Sequence, residues 1–406
     1  MTIGLLNHGL RLSYGTTVAA AMDASGLTEG SEIYVVAEGT FTQPGANINY
    51  FKGAVRTVLS ETGDGLVGTK AADGELGGYC PHCGEQVTWK LFSTTDSLIQ
   101  NCLEDSADDT DPACTGRHIA SGHYYLGSSM SSFTQQYVGV YQNLANVQDV
   151  VIDMAGYSIT ATGRAFYIRG DSKLSQQSSL TVLDSYGAGK ITGRGANNQP
   201  GGVIYNESSN LTIYGGTYIY NPVEGRNVTG GGVILNGNSF KMHGGTLDGS
   251  AFTYTDKSTT EKTYTYNGGC LMQYNGTQYD FTMTAGRMIG GTAQSGGCAY
   301  FGGNNQVNIT GGQFDSGIAN VAGGGNIRMY GSASYTAANF NISGAVIRDG
   351  RVEVTGAGGG NLSLSSGTSN ISDTYIAGGY AAAYGGNVST GASGRIRSSE
   401  LMVSPV

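Results

Sequence analysis

From Gly201 to about Thr390 the apolar and polar residues fall into short runs that return at intervals. Seven glycine pairs mark each return: Gly201-Gly202, Gly231-Gly232, Gly268-Gly269, Gly296-Gly297, Gly324-Gly325, Gly359-Gly360 and Gly385-Gly386. Their first members lie 231 − 201 = 30, then 37, 28, 28, 35 and 26 residues apart. Two residues after each pair stands an apolar residue: Ile204, Ile234, Leu271, Ala299, Ile327, Leu362 and Val388. A second run follows, Leu211-Thr212-Ile213, Phe240-Lys241-Met242, Phe281-Thr282-Met283, Val307-Asn308-Ile309 and Phe340-Asn341-Ile342. Its alternation is the period of a strand with one wet face. Small or glycine pairs then turn the chain, and a third apolar run follows, as in Tyr218-Ile219. Three short strands per repeat cannot bury their inner face alone, but stacked on their neighbours they can. The pattern predicts the coils of a parallel β-solenoid. The period is too short for a propeller blade, and no stretch sustains a helical period.

Composition narrows the functions open to such a chain. Glycine is 68 of 406 residues without the triplet of collagen, and proline is only 6, so neither a collagen nor a disordered linker fits. A net charge of −9 with no basic stripe argues against nucleic acid as a partner. No run is long and apolar enough to predict a membrane span. Met1 to Leu12 lacks the basic and apolar regions of a signal peptide, so an exported protein would be represented here by a mature form or a fragment.

Thr16 to Ala24 reads as a short helix, and Glu32 to Phe41 as a strand ending in a turn. The expected division is an N-terminal cap and first coil over 1–50, an insertion over 51–126, and the repeats over 127–406. The insertion carries the most specific motif of the chain, Cys80-Pro81-His82-Cys83-Gly84. Two cysteines at this spacing form a knuckle whose sulfurs can face one ion. Structural Zn2+ is the expected occupant, with Cys80, Cys83, His118 and His123 as ligands and Cys114 as the rival for the position of His118. Cys102 and Cys114 would then close the acidic loop Glu104 to Asp111 as a disulfide. The competing reading is a pair of disulfides using Cys80 and Cys83. No carboxylate or base is placed for catalysis at the knuckle, which points to a closed structural site.

Two resemblances bear on the fold. The helix-then-strand entry resembles the N-terminus of right-handed parallel β-helix proteins such as the pectate lyases, in which a helix covers the first coil. The series Cys80-Pro-His-Cys-Gly84, Val87-Thr-Trp89, Gly122-His-Tyr-Tyr-Leu126 and Val150 to Ile159, followed by the glycine pairs, is similar to adhesin-like surface proteins of Gram-positive anaerobic bacteria. That likeness spans roughly residues 80–390. It implies a right-handed parallel β-helix at the cell surface, favours His123 as a ligand, and implies little about chemistry.

The residue after each glycine pair reads Val203, Val233, Cys270, Cys298, Asn326, Asn361 and Asn387. Stacked asparagines should hydrogen-bond along the axis through their amides. Cys270 and Cys298, one rung apart, read as two stacked thiols because parallel Cβ directions suit a disulfide poorly. His243 reads as an exposed bystander on the outer face. Tyr205 and Tyr300 read as near neighbours in an aromatic strip, through packing between coils or as a platform for sugar rings. Asn-x-Ser/Thr triplets are frequent, as chance dictates in a chain this rich in these residues.

Three functions remain. The first is a non-catalytic extracellular stalk or surface-filament subunit that self-associates head to tail. The second is a polysaccharide lyase or hydrolase, for which Asp248 and Asp315, after comparable turns, are the acids to test. The third is glycan binding without turnover.

Overall fold

The computed structural model describes residues 76–403 apart from 81, 93–98, 102–116, 140–146, 171–176, 186, 197–198, 224–227, 254–265, 274–279, 304, 331–338 and 400–401. Of the preceding chain it describes the strands Thr2–Gly4, Arg11–Leu12, Glu32–Val36 and Val55–Val58, which pair antiparallel. The strand expected from Glu32 is thus present. The expected capping helix, His8, Cys102, Cys114 and the acidic loop lie outside the described residues.

From residue 122 onward the chain is a parallel β-solenoid. The first face carries the column predicted from the glycine pairs. Ile204 pairs with Ile234, then Leu271, Ala299, Ile327, Leu362 and Val388 follow rung by rung. The second face stacks Leu211, Phe240, Phe281, Val307 and Phe340 in one inward column, and Ile213, Met242, Met283, Ile309 and Ile342 in another. The third face is a ten-stranded parallel sheet with Ile191, Tyr218, Leu247, Met288, Phe314, Ile347 and Ile376 inside. Apolar side chains from all three faces meet in one continuous core along the axis. Phe240, Phe281, Phe301 and Phe340 form a run within it, with ring centroids 5.4, 5.0 and 6.0 Å apart. A fourth, short face was not predicted. It begins at Thr292–Ala293 and continues through Ile318–Ala319, Arg351–Val352 and Tyr380–Ala381.

The corner glycines serve two separate needs. The first glycine of all seven pairs has positive φ, from +53° to +79°, where a Cβ would clash with its own backbone. The second faces the next rung: a Cβ on Gly202 would run into the carbonyl oxygen of Gly232.

Buried amide side chains at two corners of the solenoid are paired along the axis. Asn326 Nδ2 donates to Asn361 Oδ1 (2.6 Å), and Asn361 Nδ2 donates to Asn387 Oδ1 (2.7 Å), as the sequence predicted. A second ladder, not foreseen, occupies another corner of the earlier rungs. There Asn206 Nδ2 donates to Asn236 Oδ1 (2.6 Å) and Asn236 Nδ2 to Gln273 Oε1 (2.8 Å). Farther along that column the amides give way to Phe301, Met329 and Leu364. Cys270 and Cys298 are free buried thiols, as expected, and Cys298 Sγ lies 3.2 Å from Asn326 Oδ1 at the foot of the asparagine column.

Candidate metal centre

The knuckle sits in a hairpin laid against the solenoid. Strand Leu76–Cys80 pairs antiparallel with Glu85–Leu91, so that Cys80 opposes Glu85 across the turn. Gly84, at φ +77°, closes that turn with its N–H donating to the carbonyl of Cys80 at 2.8 Å. The end of the second strand joins the second face in parallel, Trp89 beside His123 and His123 beside Val151. The hairpin has an apolar underside. Cys80 and Trp89 pack with Tyr125, Val151 and Leu183, flanked by Val87 and Tyr214. On the rungs that bear the hairpin the outer surface of the sheet is therefore apolar and covered.

This placement brings three potential ligands together. The donor atoms of Cys80, Cys83 and His123 all lie within 4.8 Å of one another, and Cys83 Sγ is 3.8 Å from His123 Nε2. Zinc–sulfur bonds of ~2.3 Å and zinc–nitrogen bonds of ~2.0 Å in a tetrahedron put neighbouring donors about 3.6 Å apart. The geometry thus suits one small ion. Burial pushes the Cys80 thiol up to about 12, against the pull of the Cys83 and His82 backbone N–H groups. A thiolate there would need a cation beside it, which a bound metal ion would supply. Burial also lowers the pKa of His123, which outweighs the opposing charge of Asp149 and favours the neutral imidazole that binds metals. The edge of the His123 ring meets Trp89 with centroids 5.3 Å apart, which fixes its plane.

His118 is not part of this group. It pairs with Tyr137 on the first face, whereas His123 belongs to an outward column of the second. It is 1% exposed, and among the described residues neither ring nitrogen has a hydrogen-bond partner. Burial lowers its pKa, so it stands neutral in the wall.

Sequence reasoning missed His82, treating it only as a spacer between the cysteines. Its Nδ1 lies 3.4 Å from the Tyr214 hydroxyl, and its ring meets Tyr214 edge-on at 5.9 Å. Tyr214 in turn packs against His243, with centroids 4.9 Å apart and planes tilted by 30°, and His243 Nδ1 lies 3.0 Å from Thr284 Oγ1. His243 is therefore not an isolated surface residue. It is half-buried in a polar and aromatic chain that runs from the hairpin turn along the outer face.

The tyrosine strip also needs correcting. Tyr205 and Tyr300 share a column, but Leu235 and Met272 stand between them. Tyr205 stacks instead on Tyr167, with centroids 4.7 Å apart and planes 18° from parallel. Arg164, 1% exposed, lies 5.0 Å above Tyr205 and 5.4 Å above Tyr167 and donates to the carbonyls of Gly201 and Pro200. Leu235, Met272 and Tyr300 are all buried. This part of the strip is packing between coils.

The two acids singled out for hydrolysis do not form a pair. Asp248 and Asp315 share a column with Ile289 between them. Asp315 is buried and held by Arg287 and Arg348, each with Nε 2.6 Å from a carboxylate oxygen. Asp248 accepts bonds from the backbone N–H and hydroxyl of Ser250. Among the described residues no helix is long and apolar enough to cross a membrane. Comparison with known proteins finds no matching family model, no matching curated protein and no matching solved structure.

Proposed function

We propose that the protein is a non-catalytic, extracellular structural solenoid of the adhesin-like kind, with a Zn2+ ion on Cys80, Cys83 and His123 fastening the hairpin to its outer face. The observation that carries the non-catalytic reading is the state of the acids. Of the two acids at comparable turns, Asp315 is buried between two arginines and Asp248 is engaged by Ser250. Glycoside hydrolysis needs two carboxyl groups facing each other across a groove, roughly 5 to 9.5 Å apart. The extracellular assignment rests on the resemblance of the knuckle and repeat motifs to surface proteins that the sequence suggests. Head-to-tail self-association fits a fold whose rungs are joined by backbone ladders, because such ladders can continue from one copy to the next.

The test is a panel of pectins, alginates and β-glucans incubated with the zinc-loaded chain, with light scattering over a range of concentrations. The expected outcome is no depolymerisation and a mass that grows with concentration. Release of reducing or unsaturated ends, abolished by Asp248→Asn or Asp315→Asn, would overturn the non-catalytic reading. A monodisperse monomer throughout would remove the filament.

A further inference from the structure

Resting on the zinc reading above, we propose that the ion's fourth position faces solvent and takes a soft monodentate donor from outside the chain, a thiolate or an imidazole.

The three donors are unevenly covered. Cys80 is fully buried, packed beneath the hairpin among Trp89, Tyr125, Val151 and Leu183. Trp89 walls the flank of His123. These contacts close the side toward the sheet. On the other side Cys83 is exposed and His123 only half-buried, so among the described residues the gap between them is open to water. A structural zinc is normally closed by four protein ligands, whereas three ligands with an accessible fourth position hold a water that can be exchanged. His118 does not close this one. It belongs to the first face, in register with Tyr137, and its ring is buried there.

The donor set also states what fits. Two thiolates and a neutral imidazole cancel the charge of a divalent ion, so the fourth ligand needs no more than a single charge. Thiolate ligands make the ion soft, which favours sulfur and imidazole nitrogen over carboxylate oxygen. Such a donor is available on a small molecule or on a side chain of a second copy, and the coordination chemistry is the same for both.

Cobalt(II) reports coordination in its visible spectrum, so the experiment loads the full-length protein with cobalt in place of zinc. The spectrum is then titrated with imidazole and, separately, with a small thiol. The expected result is a saturable change in the visible bands with each, at any protein concentration, in wild type and in a His118→Ala variant alike. A spectrum that already depends on protein concentration, accompanied by dimers in light scattering and reversed by the small thiol, supports the proposal with a second copy as donor. The proposal is overturned if neither titrant changes the spectrum, and more specifically if Cys102→Ser, Cys114→Ser or His118→Ala alters it, because the chain then supplies its own fourth ligand. Absence of cobalt uptake, with Cys80→Ser and Cys83→Ser behaving like wild type, defeats the zinc reading itself and is distinguishable from those outcomes.

Discussion

Replacing Asn361 with leucine tests whether the buried amide ladder holds the rungs together. Asn361 is fully buried and makes four hydrogen bonds. Its Oδ1 accepts from Asn326 Nδ2 (2.6 Å) and from the backbone N–H of Gly350 (2.9 Å). Its Nδ2 donates to the carbonyl of Ala377 (2.7 Å) and to Asn387 Oδ1 (2.7 Å). Leucine has nearly the same volume and satisfies none of these. Three of the deserted groups keep another partner. Asn326 Nδ2 still donates to Arg348, the Ala377 carbonyl still accepts from Asp349, and Asn387 Oδ1 still accepts from Gly379. Gly350 N–H has no second acceptor in the hydrogen-bond network described. One orphaned buried donor costs ~1–3 kcal/mol, and three lost bonds about 1 kcal/mol each, so the variant should lose about 4 to 6 kcal/mol. The control is Asn341→Leu on the outer face. Asn341 also stands in an amide ladder, at 3.0 Å from Asn308 and 2.7 Å from Asn370, but water can replace both partners. Its cost should stay below about 1 kcal/mol. Because a solenoid can unfold rung by rung, urea denaturation should be paired with hydrogen exchange at residues 362–364 and 388–390. Equal losses in the two variants, or a loss below about 1 kcal/mol for Asn361→Leu, would refute the argument.

Other outcomes follow from the same structure. With the proposed ion fastening the hairpin, a chelator should speed hydrogen exchange across 76–91 and increase binding of an apolar dye, because Val151 and Leu183 lose their cover, while exchange at 327–329 stays unchanged. Gly201→Ala and Gly202→Ala should both be strongly destabilising. A Cβ on Gly201 meets the carbonyl oxygen of Ile204 and sits at positive φ, which by itself costs ~1–2 kcal/mol, and a Cβ on Gly202 meets the carbonyl oxygen of Gly232 on the next rung; thermal melts should show a large loss for each. Burial raises the Tyr300 pKa to about 12, against an unfolded value near 10. The stability it contributes is therefore complete below pH ~10 and lost as pH rises toward about 12. Alkaline unfolding monitored by circular dichroism should begin in that window, and Tyr300→Phe should shift its onset upward.

The repeat was legible because one rule, an apolar residue two positions after each glycine pair, recurs at every coil. That column is paired rung by rung as read, and so is the asparagine ladder beside it. The same alignment already places Leu235 and Met272 between Tyr205 and Tyr300, so the error about the tyrosine strip lay in skipping two rungs. The fourth face was hidden by its brevity: strands such as Thr292–Ala293 are two residues long and show no period. At the candidate metal centre, the closeness of the knuckle to His123 was readable from local spacing and a motif. The involvement of His82 was not, because its partner Tyr214 is 132 residues away and the contact depends on how the hairpin lies over the sheet. His118 misled for a related reason. Five residues from His123 it looks like a neighbour, but the chain turns a solenoid corner between them, and the two rings leave on different faces.

The two buried amide ladders also act as a ruler. A one-residue slip would turn Asn236 or Asn361 outward and bring an adjoining residue in among groups that need hydrogen bonds. Alignment of successive coils is thereby set by side chains within the wall, and the length of chain between them is free to vary. The longest steps between glycine pairs, 37 and 35 residues, still bring Ile234 opposite Leu271 and Ile327 opposite Leu362. Whole segments can be spliced into the corners of such a protein, as new surface for new tasks, while the shaft beneath them stays in step.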